Sequence, residues 1–349
     1  MYLHALATAV PDTTFSQERC WEIVAGSPVR ERLKKRSMLI LQSILRGDHG
    51  VDTRHFAVSN IENVFDLTPD QLNTAFRAEA PALAARALRP ALAEAAVRIE
   101  DVDALLVCTC TGYLCPGVSS YLAESLGVRP DVQLLDLAGL GCGAAIPTLR
   151  AAQNILAARP EATVACVAVE VCSAAFYLDD DPGVLISACL FSDGAAATVW
   201  KGVPGPSGLG CFGFQTLHRP ADRDKLRFEQ RNGKLRNLLH RSVPELAASA
   251  VAELWRDRGP RPVSEVVTHP GGRDVLDALL PVLEPHSLDA SRTVLRRCGN
   301  MSSPSVLFAL EETLRRRRPG PDGDFWLVSF GAGFSAHGCR LGLPPDAQP

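Results

Sequence analysis

Apolar, β-branched runs alternate with helical segments along this chain, and that alternation narrows its fold more than any other feature. Ala104–Cys110 (ALLVCTC) reads as a buried strand, Val118–Leu126 as a helix, Val132–Leu137 as a strand, the stretch after Gly143 as a helix, and Thr163–Val171 (TVACVAVEV) as a long buried strand. A strand apolar at nearly every position has both faces covered, so helices must flank the sheet on each side. The second half repeats the style. Val263–Thr268 reads as a strand, Arg273–Leu280 as a helix, and Phe325–Phe330 with Gly338–Leu343 as a closing strand pair. Pro304–Arg317 reads as a helix opened by Ser302-Ser303-Pro304, a capping signal with proline in the first turn. The Gly/Pro-rich stretch Gly202–Gly210 divides the chain into two similar α/β units, residues 1–202 and 203–349. The charged segment Arg219–Arg241 is expected to be a surface insertion.

Composition excludes several classes. The formal charge is −3, so no global basic field draws in nucleic acid. No run approaches the roughly 18 apolar residues of a membrane span. The first residues, MYLHALATAVPDTTF, lack a charged segment followed by an apolar one, so a cytoplasmic location is expected. The 11 cysteines are an odd number and sit mostly inside apolar runs, as reduced, small hydrophobes do. A metal site at Cys108, Cys110 and Cys115 has no CxxC pair and no fourth ligand nearby, and two cysteines on one strand face are more simply core residues.

Three segments carry chemistry. In LLDLAGLGCGAAIP (residues 134–147), Cys142 lies between a strand and a helix, flanked by Gly139, Gly141 and Gly143. Pro147 is tolerated only near a helix start, which puts Cys142 at or just before the first turn. Unpaired N–H groups and the helix dipole there favour an anion, so a lowered thiol pKa is expected. The alternative is a small buried cysteine at a tight turn. In VVTHPGGR (266–273), His269 follows a buried strand, Pro270 biases it to extended backbone, and Gly271 and Gly272 leave space beside it. It is placed as a base or hydrogen-bond donor, or else it is a satisfied core histidine. In RCGNMSSP (297–304), Asn300 offers an amide that stabilises an oxyanion without adding charge; the alternative is a turn residue.

Taken in order, GLGCGAA at Cys142, LFSDGAAA at 190–197, THPGG at His269, GNMSS at Asn300 and, more loosely, SFGAGF at 329–334 resemble the chalcone and stilbene synthases, the type III polyketide synthases. The motifs extend from about residue 100 onward. The resemblance implies a five-layered αβαβα thiolase-like fold of two similar halves, assembled as a homodimer. It implies that Cys142 takes an acyl group from acyl-CoA, that malonyl-CoA loses CO2 to an enolate held by His269 and Asn300, and that the enolate lengthens the Cys142 thioester before cyclisation. The CoA thioesters are substrates, and no metal or redox cofactor is needed. An imidazolium–thiolate pair of His269 and Cys142 fits this chemistry.

The same resemblance makes Phe191 a gatekeeper between CoA tunnel and cavity, Ser302 a cavity residue, and Gly331 and Gly333 part of the cavity floor. Asp193 is read as structural. Plant chalcone synthases carry GFGPG where this chain has SFGAG, without the proline. Cys110, Cys172 and Ala175 fall where those enzymes carry threonines, Cys115 where a methionine reaches across the dimer, and Asn237 where a second gatekeeper phenylalanine stands. Smaller cavity residues suggest an aliphatic starter and an alkylpyrone or alkylresorcinol product; an aromatic starter is the alternative. For CoA phosphates, Arg46 and Arg54 are the candidates, with Gly272 and Arg273 near the pantetheine; each arginine is alternatively solvated surface charge. A thiolase, with Cys339 as its second cysteine, and a ketoacyl synthase are rival readings, and HPGG does not fit the former.

Overall fold

The computed structural model describes residues 1–320 and 323–344. Nine strands follow one another in a ladder: Val263–Thr268, Asp324–Gly331, Ser335–Gly342, Gly210–His218, Tyr2–Ala9, Gly194–Lys201, Thr163–Glu170, Ala104–Cys108 and Gln133–Leu137. A single residue pair, Tyr2 with Gly210, joins Tyr2–Ala9 to Gly210–His218. The ladder therefore acts as a five-stranded and a four-stranded sheet. Helix Pro69–Glu94 covers the outer face of the first. Helices Ala145–Ala158 and Ser305–Arg316 touch strands of both sheets, and Val243–Arg256 covers the second with Arg273–Leu283 packed against it. This is the αβαβα thiolase-like layering.

Strand periodicity explains the continuous apolar runs. On Thr163–Glu170, Ala165, Val167 and Val169 enter one core with Leu83 and Leu88, while Val164, Cys166 and Ala168 enter a second core with Leu149 and Phe308. Likewise Phe325 and Leu327 face the middle layer, and Trp326, Val328 and Phe330 the outer one with Leu276 and Leu279. Every second residue belongs to a different core, so no position can be polar without a partner.

Two local expectations are corrected. Helix Ser305–Arg316 starts at Pro304 with no side-chain cap. The serines ahead of it are taken by tertiary partners instead: Ser303 donates to Glu170 at 2.6 Å and Ser302 to Cys142 at 3.2 Å. The segment Arg219–Arg241 is more than a surface insertion. Leu226–Arg231 and Lys234–Leu239 form an antiparallel hairpin in which Arg236 and Asn237 are buried. Arg236 is held by Asp179, Asp181 and Glu229, so the charge of this segment is spent on clamping it over the molecule.

Candidate active site

Cys142 sits in a single tight turn, Gly141–Gly143, immediately before helix Ala145–Ala158, of which Pro147 is the third residue. Two glycines are required here by close approach. A Cβ on Gly141, whose φ is +57°, would lie 2.9 Å from the Ala332 nitrogen, and one on Gly331 would lie 2.5 Å from the Leu140 oxygen and the Gly143 nitrogen. The nucleophile turn and the Gly331–Gly333 loop are thus backbone against backbone. Ser329 Oγ donates to the Gly143 carbonyl at 3.1 Å.

The three motif residues are linked by contact. Ser302 Oγ donates to Cys142 Sγ at 3.2 Å. The Ser302 amide donates to Asn300 Oδ1 at 2.8 Å, and Asn300 Nδ2 donates to the Gly271 carbonyl at 3.0 Å. A Cβ on Gly271 would lie 3.4 Å from the His269 ring, and the Gly271 amide donates to the His269 carbonyl at 2.9 Å. His269 ends strand Val263–Thr268, its amide donates to the Val328 carbonyl, and its ring meets Phe330 edge-on at 5.3 Å. Its Nδ1 is buried with no hydrogen-bond partner among the described residues.

Burial opposes the expected ion pair. Cys142 is only partly buried by area, yet its sulfur sits deep enough that desolvation pushes the thiol up to about 12; the Ser302 hydrogen bond pulls against this and the Glu170 charge adds to it. Desolvation pushes the His269 imidazole down to about 3. Burial thus opposes the expected lowering of the thiol by the helix terminus and favours the neutral forms of both groups.

Glu170 is a buried carboxylate that the motifs do not include. It accepts from the hydroxyls of Thr109, Thr111 and Ser303, the amides of Cys110 and Thr111, and the Cys110 thiol at 3.3 Å. Cys110 Sγ also lies 3.3 Å from Ser302 Oγ, so Glu170, Cys110, Ser302 and Cys142 are continuous. The signal for it was one glutamate at the end of an otherwise apolar strand.

Two cavities border this centre through its glycines, Gly271 in one and Gly141 in the other. One, of about 410 Å³, is lined by Ile44, Ile186, Leu190, Gly271, Gly272 and Arg273, with His49, His240 and Arg241 adding polar and basic groups that no local pattern signalled. The other, of about 420 Å³, is lined by Cys110, Gly141, Ala332 and Gly333 on one side and by Arg223, Arg227 and Phe228 on the other. A gap of about 20 Å³ separates Cys172, Ala175 and Phe191 from Phe228 and Asn237.

The remaining candidates fall as follows. Asp193 is buried and clamps Ala57 and Ser173; burial pushes its carboxyl up to about 7. Cys115 is exposed. Arg46 pairs with Glu18 on the surface and lines neither cavity. Arg54 is 3 % exposed and cannot receive a CoA phosphate: its guanidinium donates to the carbonyls of Ala188 and Phe191 and lies over the Phe56 ring. The carbonyls left free where helix Pro182–Leu190 ends, and at Phe191 just beyond it, are what attract it inward. Among the described residues no helix is long and apolar enough to cross a membrane.

Comparison with known proteins agrees with this architecture. Residues 59–201 match the model of the FAE1/type III polyketide synthase-like proteins, and residues 234–340 that of the chalcone and stilbene synthase C-terminal domain. A 1,3,6,8-tetrahydroxynaphthalene synthase of Streptomyces peucetius subsp. caesius is 32% identical over 95% of this chain and 90% of its own. A 3,5-dihydroxyphenylacetyl-CoA synthase of Streptomyces toyocaensis is 29% identical over 94% of this chain and 86% of its own. The crystal structure of the tetrahydroxynaphthalene synthase of Streptomyces coelicolor A3(2) superposes with a TM-score of 0.86 at 27% identity, covering 98% of this chain and 99% of that one. With its layering, its cysteine turn and its paired motifs, the chain belongs to the type III polyketide synthases, a family of acyltransferases.

Proposed function

We propose that Cys142 carries the acyl chain, that His269 and Asn300 stabilise the enolate of decarboxylated malonyl-CoA, and that the product is a small polyhydroxylated aromatic. The observation that carries this reading is the chain of hydrogen bonds Cys142–Ser302–Asn300–Gly271–His269, whose neighbouring glycines Gly141 and Gly271 each line a cavity. The Cys142 proton passes to His269 as sulfur attacks the thioester carbonyl of the starter, and the CoA thiolate leaves with that proton. Malonyl-CoA then loses CO2, and its enolate oxygen accepts hydrogen bonds from His269 and from Asn300. An amide NH2 has two donors; Asn300 spends one on Gly271, which orients the other toward substrate. The enolate carbon attacks the Cys142 thioester, the thiolate leaves, and the chain is two carbons longer.

The cavity beside Arg273 and Arg241 suits the CoA moiety, because both are basic and Arg241 has no ionic partner among the described residues. The product class is favoured by Phe228, which lines both the cavity beside Gly141 and the Cys172–Ala175 gap, and by the charged wall of Arg223, Asp224 and Arg227. A poly-β-ketone finds donors there, whereas an alkyl tail does not. Both named relatives make polyhydroxylated aromatics without an alkyl tail. The alkylpyrone reading draws on the small residues Cys172 and Ala175 beyond Phe228. Assembly as a homodimer is supported by the edge strand Gln133–Leu137, which leaves Leu134 and Leu135 exposed.

Turnover of malonyl-CoA alone or with acetyl-, lauroyl- or coumaroyl-CoA, with products read by mass spectrometry, decides among these. Short or malonyl starters should be used fastest. Fastest use of lauroyl-CoA would return the alkyl product, and of coumaroyl-CoA would exclude both. Acyl loading should disappear in Cys142→Ala.

A further inference from the structure

A buried imidazole other than His269 lies beside the Cys142 turn. His337 lies in the closing strand Ser335–Gly342 and is 3 % exposed. Across the ladder it stands opposite Ser329 on one neighbour and Thr216 on the other, so the three side chains form one row on one face. Ser329 holds the Gly143 carbonyl, and a Cβ on Gly143 would come within 3.2 Å of His337 Cδ2.

The hydrogen bonds of His337 have a direction. Ser335 Oγ donates its one proton to the Ala332 carbonyl at 3.1 Å. At its 3.2 Å contact with His337 Nε2 it must therefore accept, which places the imidazole proton on Nε2. His337 Nδ1 then accepts from Thr216 Oγ1 at 3.2 Å, and Thr216 accepts from Arg150 Nη1 at 3.5 Å. Burial above all disfavours a second proton on this ring, and His218, edge-on at 5.8 Å, and Arg150 add to it. The chain ends on Ala332, the residue that abuts Gly141.

We propose that His337 is a positioning residue for the condensation, holding the Gly331–Gly333 loop and the Cys142 turn in register through Ser335 and Ala332. This rests on the reading of Cys142 as the acyl carrier. Both glycines beside Cys142 are then seated on groups that His337 sets: Gly143 on its ring, Gly141 on Ala332. A loop free to shift would misplace the thioester relative to His269 and Asn300 without altering the CoA cavity, so kcat should change and KM should not.

The test compares His337→Phe, which fills the space without hydrogen bonds, Ser335→Ala, which breaks the last link, the double variant, and His337→Gln, which restores a donor toward Ser335. Each single loss should lower kcat about tenfold, with KM within about twofold. The double variant should be no slower than His337→Phe, because one chain is broken once, and His337→Gln should recover most of the rate. Additive losses, or wild-type kcat in Ser335→Ala, would overturn the proposal. Parallel changes in kcat and melting temperature in all four would overturn it too, by showing a packing role alone. Acyl loading that persists in Cys142→Ala would sink the acyl-carrier reading instead, which separates the two failures.

Discussion

Ser302 Oγ donates to Cys142 Sγ at 3.2 Å from a backbone held at φ +59°, a left-handed conformation that a side chain disfavours. Strain and hydrogen bond occur at the same residue. Removing the donor in Ser302→Ala should slow alkylation of Cys142 by iodoacetamide about tenfold, since a hydrogen bond to a charged sulfur is lost. Ser302→Gly should lose as much reactivity yet be more stable than the alanine variant by about 1 kcal/mol in a denaturant titration, because glycine adopts this φ freely.

His269 makes the protein acid-sensitive. In the unfolded chain its ring takes a proton near 6.5, whereas burial holds the native ring neutral down to about 3. Between those values the unfolded state binds more protons, so this contribution to stability is lost as pH falls. Asp193, pushed up to about 7, acts in the opposite sense and is common to both proteins being compared. Melting measured from neutral to about pH 4 should therefore show wild type losing ground steadily to His269→Gln; a constant difference would show the native ring to titrate normally.

Arg54 and Arg273 should separate into structure and binding. Arg54→Met leaves the carbonyls of Ala188 and Phe191 unpaired and should cost about 2–3 kcal/mol in a denaturant titration, with the KM for acyl-CoA unchanged in the folded fraction. Arg273→Ala should raise that KM several-fold while the unfolding midpoint stays close to wild type. Arg273 spends its guanidinium on the exposed Asp274 and the Asp48 carbonyl at the cavity rim.

Phe228 lines both the cavity beside Gly141 and the gap that holds Cys172 and Ala175. Truncation in Phe228→Ala should merge the two spaces. The expected outcome is products at least one malonyl-derived unit longer in the mass spectrum, with Cys142 loading unaffected. An unchanged product profile would show that Phe228 does not limit chain length.

Much of this centre is legible along the chain because its signals are local. Pro147 can stand only in the first turn of a helix, so Cys142 had to precede one, and it does. His269 had to end a strand, because Val263–Thr268 is an apolar run closed by proline and two glycines. Apolar runs with no polar face required covered sheets, and the two-core alternation of Thr163–Glu170 is that requirement met. The family was readable because several short motifs occur in the same order along the chain.

What the chain could not state is what depends on distant partners. The Ser302-Ser303 cap was a sound local reading, defeated when Cys142 and Glu170 took both hydroxyls. Arg54 looked like any surface cation until the carbonyls of Ala188 and Phe191, far along the sequence, drew it inside. The charge of Arg219–Arg241 became a clamp only because Asp179 and Asp181 fold against Arg236. By itself the sequence determined the alternating elements, the glycine turns and which residues could do chemistry, since these follow from steric rules acting over a few neighbours. Tertiary structure alone decided the direction in which burial shifts Cys142 and His269, the course of the contacts joining their motifs and the size of the cavities, because desolvation and enclosure are properties of the packed assembly of layers.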